Sequence, residues 1–378
     1  SRPPSRHRLA NRPKPMNAMK SHSTRSPTTP VQRRGFTLVE VMVAMVIGML
    51  GLIIMMQVFS AAEGQRRATT GSGDAQSNGA MALYALQRDI RQGGYGFNAV
   101  NTFGCPLALP APASRTLAQL APVIINPPTA DVPAGDANTD TLLIAYGNNE
   151  GPPEGDVITA VNGSLLAVAA ATNYRTGQQV IAAPSAPTAG CALTLTDVSA
   201  PPTPPNVPVR DATGAVDGGT LFNLGANPRF LAYAIRGGNL TVCDYLAFDC
   251  SSAANYIAIA NNIVSLRAQY GHASTDVSGV DVWDQQTPPL TTDPPIAAPT
   301  TATEFACLWA RTSALRIAIV ARNSQLERDQ ITAVAPLWAG SAGAALTLSG
   351  RANWQNYRYK VFETIIPIRN LPWMGTCT

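Results

Sequence analysis

Arg33-Arg34-Gly35-Phe36-Thr37-Leu38-Val39-Glu40 runs directly into Val41–Met56, a stretch without one polar side chain. Taken from Phe36 to Phe59, the apolar segment is 24 residues long. At a rise of ~1.5 Å per residue it makes about 36 Å of helix, enough to cross a bilayer with some tilt. Arg33 and Arg34 hold the preceding side in the cytoplasm, so the rest of the chain is expected in the periplasm. An ordinary secretory signal is cut after its apolar run. Here the polar-to-apolar junction itself is the expected processing point. Gly35 supplies the permissive backbone that a protease needs there. Cutting between Gly35 and Phe36 removes every leader charge and leaves the apolar helix as the new N-terminus.

Glu40 is the exception within this segment. A carboxylate near the end of a membrane helix is costly and calls for a partner or a function. Cleavage creates a partner, the new α-amino group of Phe36. In a bundle of such helices, Glu40 of one subunit pairs with the Phe36 ammonium of its neighbour. A shift in axial register leaves both charges unpaired in lipid, so the expected role of the pair is to set register. The first helical turn also favours a negative charge.

Charge is distributed unevenly around this segment. Residues 1–35 carry nine Lys/Arg and no acid, leaving 18 Lys/Arg against 23 Asp/Glu beyond them, a net charge of −5. The basic, Pro- and Ser-rich leader cannot bury a core, and Met16 and Met19 within it are candidate translation starts. A mildly acidic body matches the phosphate backbone poorly, so no intrinsic nucleic-acid binding is expected.

The six cysteines, at 105, 191, 243, 250, 307 and 377, form no C-x-x-C pair, and only His272 stands beyond the leader. This argues against zinc and for disulfides in an exported domain. Of the fifteen possible connectivities, the preferred one is Cys243–Cys250 across a short loop, with Cys105–Cys191 and Cys307–Cys377. No G-x-S-x-G, H-E-x-x-H, P-loop or dinucleotide fingerprint is present, and a catalytic triad would need His272, so no enzymatic activity is expected. Calcium has two candidate loops. Asp136, Asn138 and Asp140 place oxygens at alternate residues, without the glycine and acid that complete a calcium loop. Asp276 and Asp281 form the second candidate. Otherwise no cofactor is expected.

Beyond the apolar segment, Gly79, Leu83, Leu86 and Ile90 recur on one helical face. Thr69–Asp74 is a poor helix former, predicting a weak or broken turn, and Asp89 and Arg91 read as a solvated edge. Gly93-Gly94-Tyr95-Gly96 ends the helix. Strands are expected at 141–146, 157–161, 179–183, 192–198, 263–270, 314–321 and 357–368, with a hairpin over 229–246 about Gly237-Gly238. The Pro-rich stretches 199–208 and 287–302 read as surface loops.

The motif Gly35-Phe36-Thr37-Leu38-Val39-Glu40, followed by an unbroken apolar helix, resembles the class III signal of type IV pilins and type II secretion pseudopilins. The resemblance implies cleavage by prepilin peptidase between Gly35 and Phe36, N-methylation of Phe36, and a role for Glu40 in filament assembly. Patches at 88–95, 263–271 and 314–322 resemble the PilW group of minor pilins. The implied fold is α+β and type IV pilin-like: a long N-terminal helix, transmembrane in its first half, packed on a large antiparallel sheet domain. The expected divisions are a cleaved leader (1–35), the membrane or filament-core half-helix (36–59), an amphipathic half-helix (60–92) and a periplasmic β-rich domain (93–378). The implied function is a minor pilin that primes pilus assembly at the tip, in support of adhesion or twitching motility. Its implied partners are other minor pilins, the major pilin, the inner-membrane assembly platform and inner-membrane lipid. Two alternatives are a J-type minor pseudopilin of a type II secretion system and a membrane-tethered periplasmic hydrolase.

Overall fold

The computed structural model describes residues 35–99, 101–149, 151–185, 191–274, 279–288 and 308–371. The chain divides into two compact units, one ending at Ala62 and one beginning at Glu63.

Helix α1 spans Leu38–Gln92. In the first unit every residue from Gly35 to Ala62 is exposed, including Met42, Ile47, Leu50 and Ile53. The helix contains a stretch long and apolar enough to cross a membrane. Apolar side chains all round a helix cannot be left in water, which fits a lipid or helix-bundle surrounding.

Beyond residue 62 the same helix turns one face inward, burying Gly71, Ala75, Gly79, Ala82, Leu86, Asp89 and Ile90. These positions step by threes and fours along one stripe. The expected break at 69–74 is absent, because α1 is continuous there. Packing overrides propensity: a Cβ on Gly71 would stand 3.1 Å from Asn323 Cβ, so this glycine serves close approach rather than bending. Thr69 Oγ1 also donates to the Gln65 carbonyl at 2.9 Å, which keeps its hydroxyl within the helix.

Seventeen strands follow among the described residues. They are β1 Leu107–Ala108, β2 Thr116–Leu117, β3 Val123–Ile125, β4 Leu142–Tyr146, β5 Asp156–Asn162, β6 Leu165–Val168, β7 Gln179–Ala183, β8 Leu193–Asp197 and β9 Asn206–Pro208. The series continues with β10 Thr220–Gly225, β11 Arg229–Arg236, β12 Asn239–Asp244, β13 Ile257–Ala260, β14 Ile263–His272, β15 Val282–Asp284, β16 Thr312–Arg322 and β17 Tyr359–Pro367. They form an eight-stranded sheet ordered β2-β1-β8-β7-β10-β5-β6-β9, a five-stranded sheet β13-β12-β11-β4-β3 and a four-stranded sheet β15-β14-β16-β17. Pairing is antiparallel except between β1 and β8. The Pro-rich stretch 199–208, expected as a loop, contributes β9.

The five-stranded sheet is covered on both faces, as the period-2 geometry of its strands shows. Leu143, Ala145, Phe230 and Ala232 face one core, shared with Ile181, Leu193 and Phe222 of the eight-stranded sheet. Their neighbours Leu142, Ile144, Leu231 and Tyr233 face another, shared with Leu86 and Ile90 of α1 and with Leu266, Ile317 and Ile366 of the four-stranded sheet. The helical stripe therefore docks on two sheets, not one. The outer face of the four-stranded sheet carries Val264, Ala318 and Val320 beneath Trp338, Leu346 and Leu348 of the irregular 323–358 segment. This double coverage explains why β16 reads as nearly continuous apolar sequence.

Candidate functional site

The junction between Gly35 and Phe36, where processing is expected, lies in open surroundings. Gly35 to Thr37 precede the helix, and among the described residues no atom beyond its chain neighbours lies within 4 Å of a Cβ built on Gly35. Glu40 is in the first turn of α1. Its backbone N–H donates to Thr37 Oγ1 at 3.3 Å, and its Oε2 accepts from the Thr37 N–H at 3.5 Å. The Val41 N–H donates to the Thr37 carbonyl at 3.2 Å. This is a reciprocal capping box, Thr-x-x-Glu, satisfying donors that a helix start otherwise leaves open. The sequence carried that signature, but the reading of Glu40 as a membrane charge passed over it. Glu40 therefore holds two kinds of capacity: it closes its own helix end, and it presents an exposed carboxylate within the apolar segment.

The other end of α1 is fixed by a second carboxylate. Asp89, expected at a solvated edge, is fully buried. Tyr146 of β4 donates its hydroxyl to Asp89 Oδ1 at 3.1 Å, and Tyr233 of β11 donates to Oδ2. Arg88 reaches over the outside, with Nε 2.9 Å from Oδ1. Burial pushes both tyrosine hydroxyls far above their usual range, and the neighbouring Asp89 charge pushes the same way. The hydrogen bond to Asp89 raises the Arg88 guanidinium in turn. A buried charge held by three donors locks the helix to the five-stranded sheet. A step of three from Leu86 puts position 89 on the buried stripe, which is the signal that could have found it.

The last turn is closed from the far end of the chain. Asn370 Nδ2 donates to the Gln92 and Gly93 carbonyls, both at 3.1 Å. Gly94 takes φ +84° and Gly96 φ +89°, and the Gly94 N–H donates to the Ala145 carbonyl at 2.9 Å. Helix-ending glycines were legible, whereas Asn370 had no local signal.

Two of the three residues of the first calcium candidate, Asp136 and Asp140, are engaged by other groups. Asp136 accepts from the Gly237 and Gly238 N–H groups at 2.9 and 2.8 Å and from Arg351 Nη1 at 3.1 Å. Asp140 is buried and accepts from Arg267 Nη1 at 2.8 Å, the Ala268 N–H at 2.9 Å, Gln285 Nε2 at 2.6 Å and Asn126 Nδ2 at 3.1 Å. Oxygens committed to donors and arginines do not converge on a cation. Asp281 bonds the Ser274 N–H at 2.8 Å and its hydroxyl at 2.5 Å, which lowers its carboxyl below the usual range. Asp276 lies outside the described residues. Among the described residues no group of three His, Cys, Asp or Glu could hold a metal ion.

Cys105–Cys191 and Cys243–Cys250 are disulfides. The first ties the chain entering β1 to the chain entering β8, the parallel pair of the eight-stranded sheet. Cys307 and Cys377 lie outside the described residues. His272 ends β14, with Nε2 3.5 Å from Asp284 Oδ2.

Comparison with protein families gave two matches. Residues 31–56 match the prokaryotic N-terminal methylation motif, and residues 240–370 match the family of type IV pilus-assembly protein W. The second match begins in β12 and takes in β13 to β17. Searches of curated proteins and of solved structures gave no significant match. The methylation motif implies processing by a prepilin peptidase and contact with other filament components.

Proposed function

Taking the chain as a membrane-anchored, type IV pilus-related pilin of the PilW-like kind, we propose that it is a minor pilin that primes pilus assembly. It works in a tip complex with other minor pilins and has no enzymatic activity. The observation that carries this reading is the co-occurrence on one chain of the methylation motif at 31–56 and the pilus-assembly match at 240–370. The wholly exposed apolar helix before residue 62 supports it, because neighbouring subunits' helices are the natural cover for that surface once it leaves lipid. The body beyond α1 carries three sheets and is too bulky to repeat densely along a thin fibre, which favours a low-copy subunit.

In this reading the chain is cut between Gly35 and Phe36 and methylated at Phe36, on the cytoplasmic face of the inner membrane. The assembly platform then moves it from the membrane to the filament tip. Glu40 exchanges part of its capping role for a pair with the Phe36 ammonium of an adjacent subunit, which sets axial register. A J-type pseudopilin shares the N-terminal motif, and the match at 240–370 weighs for the pilus. In-frame deletion of the gene is expected to remove most surface pili, with recovery on complementation. Normal piliation in the deletion strain would sink the proposal. Recovery of secretin-pathway pseudopilins in place of pilins by membrane co-purification would replace it with the secretion reading.

A further inference from the structure

The loop that reads as a calcium site in sequence forms one wall of a cleft with the opposite polarity. The cleft has a volume of about 550 Å³ and is lined by Asp136 and Asn138, the Gly237-Gly238 turn, Arg322 at the end of β16, and Thr347, Arg351, Asn353 and Tyr357. Two arginines and one carboxylate leave it with a surplus positive charge. Arg351 is fixed in place, with Nη1 on Asp136 at 3.1 Å and Nη2 on the Val264 carbonyl at 2.5 Å. Arg322 is held differently: its Cζ lies 4.3 Å from the centroid of the Tyr357 ring. No salt bridge neutralises it among the described residues, and its buried Nε has no hydrogen-bond partner there.

One terminal nitrogen of each guanidinium lies close to a common point. An atom standing at the Cβ position of Gly238 would be 3.9 Å from Arg322 Nη2 and 4.0 Å from Arg351 Nη1. A Cβ there would make ordinary contacts, with Val264 Cγ1 nearest at 3.8 Å, so it is the φ of +73° that selects for glycine at 238. The rim carries side chains that both donate and accept. Asn138 and Asn353 are exposed and hold left-handed backbone (φ 60° and 54°), which turns both loops about the opening. Together with Thr347, their side-chain polar groups have no partner among the described hydrogen bonds.

A planar guanidinium fork stacked on an aromatic ring is a stiff receptor for a carboxylate. Uncommitted amides and a hydroxyl around it suit a ligand rich in hydroxyl groups, since each hydroxyl needs both a donor and an acceptor. We infer that this cleft binds a small carboxylate-bearing, hydroxyl-rich ligand of the acidic-monosaccharide class. The carboxylate sits between Arg322 and Arg351, and the ring hydroxyls face Asn138, Asn353 and Thr347. Asp136 remains the internal counter-ion that keeps Arg351 aimed.

The test is calorimetric titration of D-glucuronate into the detergent-solubilised full-length chain, with D-glucose as the neutral partner of the same ring. Glucuronate is expected to bind and glucose not to, with affinity falling as salt is raised. Arg322→Gln is expected to weaken glucuronate binding at least about tenfold. Asn138→Asp changes an exposed side chain that tolerates left-handed backbone, so folding is expected to be unaffected; the added negative charge at the rim is expected to produce a similar loss. Glucuronate binding no better than glucose, or bound equally well by the Asn138→Asp chain, would overturn the inference. Both variants are expected to enter filaments normally, which keeps this test separate from the pilin reading.

Discussion

The ring of Phe362 occupies the space that any side chain on Gly79 would need. A Cβ built on Gly79 falls well inside contact distance of Phe362 Cε2, Cδ2 and Cζ. Gly79 belongs to the buried stripe of α1 and Phe362 to β17, so this contact sets how closely helix and four-stranded sheet approach. Gly79→Ala is a favourable change in an exposed helix, yet here overpacking is expected to destabilise by about 1–3 kcal/mol. Urea denaturation of the solubilised chain measures it. Partial recovery in Gly79→Ala/Phe362→Leu is the confirming result, and a stabilised single variant would refute the contact.

Removing Asp89 leaves two buried tyrosine hydroxyls without their acceptor. Asp89→Ala is expected to cost roughly 3–5 kcal/mol, the usual scale for breaking a buried charged network. Asp89→Asn keeps the shape and loses less. Thermal unfolding of these variants with Tyr233→Phe in a double-mutant cycle should give clearly non-additive losses. Additive losses would mean that Tyr233 and Asp89 do not act together.

Asp131 carries a pH signature. Burial raises its carboxyl above the ordinary value, while the Ala118 N–H bonded to Oδ2 at 2.9 Å pulls the other way. A folded state that holds the proton more tightly than the unfolded chain is penalised above the folded pKa, and the penalty fades as pH falls through it. Asp131→Asn should therefore gain on wild type at neutral pH, with the two converging below the ordinary carboxylate range. A stability difference that does not change between pH 3 and pH 7 would remove this role.

Glu40 invites a substitution that separates its two capacities. Glutamine closes a capping box as glutamate does, but it carries no charge. In Glu40→Gln the helix start should survive, with hydrogen exchange at residues 38–41 unchanged, while co-purification with pilus components falls severalfold. Normal complex formation by this variant would assign Glu40 to helix capping alone.

Much of this architecture is written locally in the sequence. The apolar run, the glycines after Gln92, the Gly237-Gly238 hairpin and the boundaries of β7 follow from periodicity and turn chemistry. Short strands such as β1, β2, β6 and β10 do not, because two to six residues carry too little pattern and owe their pairing to distant partners. The break foreseen at 69–74 reflects the ambiguity of glycine, which marks a weak helix or a close contact equally well. Asp136-x-Asn138-x-Asp140 is ambiguous in the same way: alternate oxygens serve a cation or a set of donors, and only Arg351, Arg267 and the hairpin amides decide. The Thr37–Glu40 box was legible, and so was the in-phase position of Asp89.

Asn370 brings a matter of timing. The helix whose final carbonyls it caps leaves the ribosome early, whereas the capping amide follows 277 residues later. Asn370 follows the last strand of the four-stranded sheet, so its amide reaches those carbonyls only when that strand and the helix end are brought together. That cap therefore needs residues from both ends of the second unit, so a chain cut before Asn370 has no donor for it.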